Sequence, residues 1–180
     1  RQILREQKFP QDFMTAYYKE AQEVISLFLA GNMEDITLLE RKKQILEQSP
    51  IKNIYSMRQI NGNIEVIDNF MSMVDDIDFK GAVPRLGEQS GKMRTRGVEV
   101  SIRPDIVLTG KGTKGKQLVG GVKLHFNKTH PLDAEACGYI STALQMYCDN
   151  NLSQEGVAYS HYCIVIDVAS GKVCNGVTAT

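Results

Sequence analysis

Pro104-Asp105-Ile106-Val107-Leu108-Thr109-Gly110-Lys111-Gly112-Thr113-Lys114-Gly115-Lys116-Gln117-Leu118-Val119-Gly120-Gly121-Val122-Lys123-Leu124-His125-Phe126 is two apolar runs joined by a turn rich in glycine and lysine. Short Val/Ile/Leu runs bounded by glycine predict strands. The first opens at Asp105, behind Pro104, and holds Ile106-Val107-Leu108; the second covers residues 118–126. Alternation puts Gly121, Lys123 and His125 on one face and Val122 and Leu124 on the other. A lysine inside an apolar strand is costly to bury without a partner. If the turn pairs the two strands, Asp105 approaches Lys123. The bland alternative is that Asp105 caps a turn and Lys123 reaches solvent from a sheet edge.

Upstream, Val98, Val100 and Ile102 alternate with Glu99, Ser101 and Arg103, which predicts a further strand over residues 98–103. Residues 81–97 carry Gly81, Pro84, Gly87, Gly91 and Gly97, and read as a long irregular connection. Before it the pattern is helical. Asp12 can cap a helix to Ala30, a second covers about residues 34–48, and a third begins near Asn63 with Ile64, Ile67, Met71, Val74 and Ile77 as its stripe.

Downstream, Asp133 caps a predicted helix to about residue 149. Residues 162–168 are a dense apolar strand, and Ser170-Gly171 turns into a short strand near Val173. The order predicts an α/β (α+β) fold, a mixed central sheet flanked by helices. A helical segment over residues 1–79 packs on an α/β core over residues 80–180 as a single compact unit.

Composition agrees. At 180 residues, 42% hydrophobic and 23% charged, the chain can bury a core, which excludes collagen-like and disordered classes. No apolar run reaches the ~18 residues of a membrane helix. The chain opens on Arg1 and ends abruptly on Thr178-Ala179-Thr180, so a processed or longer chain is expected. Net charge is zero, yet residues 80–128 hold 11 basic residues against Glu88, Glu99 and Asp105. A basic middle between acidic flanks suits a phosphate-rich ligand such as a nucleic acid; a solvated loop surface is the other reading.

Cys137, Cys148, Cys163 and Cys174 form no Cys-x-x-Cys pair, so no zinc ribbon is expected. Cys163 and Cys174 can face each other across the terminal hairpin. Packed thiols in a reduced cytoplasmic compartment are the expected state. His125, His130 and His161 lack metal-ligand spacing. Residues 110–116 lack the Gly-Lys-Ser/Thr ending of a phosphate-binding loop, and no Gly-x-Ser-x-Gly element exists.

Pro104-Asp105, a linker, and Gly121-Val122-Lys123 before a helix and a last apolar strand resemble the PD-(D/E)XK nuclease superfamily, the restriction-endonuclease-like fold. The resemblance covers residues 98–168. It implies a magnesium- or manganese-dependent nuclease acting on DNA, in a host-defence or DNA-processing setting, with a further domain or partner protein. Asp105, Lys123 and Glu65 are its implied catalytic residues, and Asp105, Glu99 and Val122 its implied metal ligands. Arg94, Arg96, Arg103, Lys114, Lys116, His125 and Lys128 are the expected contacts to the backbone. One position departs from the pattern. Gly121 stands where the family carries an acid. The missing carboxylate can come from Glu99, from Glu135, or from the Asn63 to Asp78 helix, where Asp68 and Asp75 flank the stripe. Otherwise the protein is an inactive form, or binds nucleic acid without cutting. A protein-interaction role for the helical half is the third reading.

Overall fold

The computed structural model describes residues 17–87, 93–95, 97–100 and 102–176. Helices α1 (Lys19–Ala30), α2 (Thr37–Glu47) and α3 (Ile54–Met73) precede strands β1 (Val83–Leu86), β2 (Met93–Thr95), β3 (Val98–Val100), β4 (Ile106–Lys111) and β5 (Gln117–His125). Helix α4 (Ala134–Asn151) and strands β6 (Val157–Asp167) and β7 (Lys172–Cys174) follow. Five strands form one mixed sheet in the order β1-β4-β5-β6-β7, and β2 and β3 form a separate pair. The fold is α+β, as the element order predicts. The expected start of the first helix at Asp12 lies outside the described residues.

Two elements differ from the sequence reading. The first strand of the meander is β1, inside the stretch read as an irregular connection, and not residues 98–103. β1 pairs antiparallel with β4, Val83 opposite Thr109 through Leu86 opposite Ile106. Pro84 hid it, because proline cannot donate to a ladder; an edge strand tolerates that loss. Val98–Val100 instead pairs with Met93–Thr95.

Helix α3 starts a full two turns before Asn63. Asn53 caps it through a reciprocal pair with Ser56. Asn61-Gly62-Asn63 reads as a breaker, yet Asn63 is 1% exposed and fully used. Its side-chain carbonyl accepts from Ala21 N at 2.8 Å, and its amide donates to Tyr17 O and Gln59 O at 2.8 Å each. Tertiary bonding of the buried amide therefore overrides its weak helix propensity.

The sheet is covered on both faces. Ile106, Leu108, Val122, Leu124, Ile164, Ile166 and Val168 join Ile25, Phe28, Leu29, Val66, Ile67 and Phe70 in one buried cluster, so α1 and α3 lie on that side. Val107 and Val119 meet Tyr147 and Cys148, and Cys163 and Val165 meet Leu144, so α4 covers the other face. Each fully buried Leu or Ile contributes about 1.5–3 kcal/mol. Burial on both faces explains the unbroken apolar run of β6.

Cysteine pairing also departs from expectation. Cys137 and Cys174 form a disulfide with Cα atoms 6.1 Å apart, tying α4 to β7. The β6–β7 register sets Cys174 opposite Val165, not Cys163. Cys148 and Cys163 remain free and buried. Among the described residues no helix is long and apolar enough to cross a membrane.

Candidate functional site

The register of the β4–β5 hairpin creates the site. Ile106 lies opposite Val122, and the Asp105 N–H donates to Val122 O at 2.8 Å. That lock sets Asp105 beside the end of β5, and Lys123 Nζ lies 3.1 Å from Asp105 Oδ2. The carboxylate is 8% exposed and the lysine side chain 29%, so the pair presents its ammonium outward. β5 and β6 run parallel and α4 follows β5, so the carboxyl ends of both strands and the start of α4 share this end of the sheet. Open α/β sheets place ligands there.

Asp105 is nearly saturated by protein donors. Its Oδ2 also accepts the Leu124 N–H at 2.8 Å, and its Oδ1 accepts Gln22 Nε2 at 2.6 Å. The sequence reading missed Gln22. One signal was present: Tyr18, Gln22, Ile25 and Leu29 recur at helical spacing, so Gln22 is a polar residue on the buried stripe of α1. The helix reaching the site is α1, not α3.

The other expected residues are dispersed. Glu65 on α3 is ion-paired with Lys128 and is not among the partners of Asp105 or Lys123. Val122 is fully buried in the core and its carbonyl takes the Asp105 N–H. His125 Nε2 is bonded to His130 O at 3.1 Å. Arg103 is exposed two residues before Asp105. Lys114 and Lys116 are exposed at the far end of the hairpin. At about 3.3 Å per strand residue they lie roughly 20 Å from Lys123. Arg96 lies outside the described residues, as do the side chains of Arg94 and Glu99. Of the alternative acids, Glu135 accepts from Tyr139 at 2.6 Å and Asp68 is ion-paired with Lys43.

A magnesium or manganese ion needs about six oxygen ligands, with one or two carboxylates among them. Among the described residues no group of three or more His, Cys, Asp or Glu side chains converges. Position 121 has no room for a carboxylate either. A Cβ there would lie 2.7 Å from Pro104 Cβ and 3.4 Å from Ile106 O. The described donor set, one carboxylate already holding three protein donors, does not fit a resident divalent ion. What the arrangement offers chemically is a fixed, partly exposed ammonium over a buried counter-charge. No family model, curated protein or solved structure matches the chain.

Proposed function

We propose that this is a nucleic-acid-binding domain of restriction-endonuclease-like architecture that grips the phosphate backbone and does not cleave it. The observation that carries this reading is the state of Asp105, committed to Gln22, Leu124 N–H and Lys123 with Gly121 in place of a second acid. Lys123 supplies the anchoring charge, and exposed Arg103 extends it along the same sheet end. A lysine held by a buried carboxylate keeps its position when phosphate arrives, which lowers the ordering cost of binding.

The test is fluorescence anisotropy with labelled single- and double-stranded DNA over a salt series. Phosphate contacts make log affinity fall linearly with log salt, by a slope of about −0.9 per contact on duplex DNA. Lys123→Ala is expected to flatten that slope by about one. Affinity that ignores salt sinks the proposal. The 3.1 Å approach of Lys123 to Asp105 favours a second reading, a magnesium-dependent DNA nuclease. Magnesium-dependent cutting of the same DNA, abolished in Asp105→Ala, is the outcome that selects it.

A further inference from the structure

Toward the β4–β5 turn, at the end of the sheet opposite Asp105, the β5–β6 ladder slips. Val119 faces Ala158 and Gly121 faces Cys163, so Gly120 alone opposes Tyr159, Ser160, His161 and Tyr162. Extra residues on one strand re-aim its side chains. Here they gather three rings. Tyr159 and His161 stack at 5.0 Å with planes 10° apart, and Tyr159 meets Tyr162 edge-on at 5.0 Å. Tyr159 and His161 are half-buried, and Tyr162 is 5% exposed.

Tyr162 lies over glycines. A Cβ on Gly120 would collide with Tyr162 Cβ, and one on Gly110 would lie 2.5 Å from the Tyr162 hydroxyl. The phenol therefore reaches from β6 across β5 to β4. Its hydroxyl ends beside Gly110, one residue from Lys111. That hydroxyl has no hydrogen-bond partner among the described residues and is not sealed from solvent. Gly110 is opposite Leu118, and Lys116 precedes Leu118 by two residues, about 7 Å at strand rise. Lys111, Lys114 and Lys116 are exposed and pair with no acid among the described residues. Glu155, two residues before Val157, is committed to Arg85.

We propose that this end of the sheet is a binding site for a free nucleoside polyphosphate. The base extends the Tyr159–His161 stack, since any base offers a flat π-face to such rings. The phosphates take the Lys111 and Lys116 ammoniums and the unclaimed Tyr162 O–H, which supplies a directed donor where the lysines supply charge. The site lies roughly 20 Å from Lys123 along the strands and does not rest on the backbone grip proposed there.

The experiment titrates the intact chain with adenosine triphosphate at low salt, by calorimetry and by proton NMR of the histidine rings. The chain has three histidines, so His161 is read apart from His125 and His130. Saturable binding of one nucleotide per chain is expected, with an upfield shift of the His161 ring protons and none at His125 or His130. Adenosine alone and tripolyphosphate alone each lack half of the contacts and are expected to bind at least about tenfold more weakly. Tyr162→Phe keeps the ring and removes only the hydroxyl. That change and Lys116→Glu are each expected to weaken binding by about tenfold, while Lys123→Ala leaves it unchanged. Absence of saturable binding overturns the proposal, as do shifts at His125 or His130 in place of His161. So do tripolyphosphate binding as tight as the nucleotide, and full affinity in both Tyr162→Phe and Lys116→Glu. The DNA salt slope of Lys123→Ala is a separate readout, so the nucleotide site and the backbone grip can fail independently.

Discussion

At Asp105 three donors converge from two elements: Gln22 of α1, and the Leu124 N–H and Lys123 ammonium of β5. Asp105→Ala leaves all three without their acceptor, while Lys123 retains partial access to water. A loss of about 2–4 kcal/mol in urea unfolding is expected, since removing one partner of a buried charged network exposes the desolvation cost of the others. Adding Lys123→Met to Asp105→Ala is expected to recover part of that loss, because the two changes share one interaction. Full additivity would mean that the ion pair is not coupled. The lysine and aspartate were legible because an apolar strand cannot absorb a lysine silently. Gln22 was not, since its place on the buried stripe of α1 marks a polar residue on a packed face but does not name a partner 83 positions away.

At the scale of elements, the hairpin explains Gly121. The close approach of Pro104, not a metal, dictates glycine there. Gly121→Glu is therefore expected to cost about 1–3 kcal/mol through overpacking, and to gain no magnesium signal in calorimetry. Strong magnesium binding by that variant would restore the metal reading. The second element-scale prediction concerns the Cys137–Cys174 tie, which closes a separation of 37 residues. Loop-closure entropy gives about 4 kcal/mol for such a bond. Guanidinium midpoints with and without reductant, checked against Cys174→Ser, measure it; equal midpoints would remove the bond from the fold's stability. The strand periods of β4, β5 and β6 were readable from sequence. β1 and the start of α3 were not, since a proline and an Asn-Gly-Asn run carry the opposite local signal and only packing reverses it.

For the whole molecule, the linear charge pattern misleads about where positive charge gathers. Of the eight basic residues over 80–128 whose side chains are described, three are answered by acids, two of them from other segments. Arg85 makes two bonds to Glu155 at 2.7 and 2.8 Å, Lys128 is paired with Glu65, and Lys123 with Asp105. Among the described residues, the exposed remainder divides between two ends of the sheet. Arg103 is beside the Asp105 site, and Lys111, Lys114 and Lys116 are at the opposite tip, the end from which Lys80 leads into β1. Those ends are roughly 20 Å apart at strand rise, about two Debye lengths at 0.1 M salt, so each acts on its own. This separation makes the location of binding testable by charge reversal. If the backbone lies across the Asp105 end, Lys114→Glu with Lys116→Glu leaves the salt slope unchanged, and Lys123→Ala lowers it by about one. The reverse pattern in the same anisotropy titration would move the interface to the hairpin tip and leave the Asp105–Lys123 pair as a purely structural tie between β4 and β5.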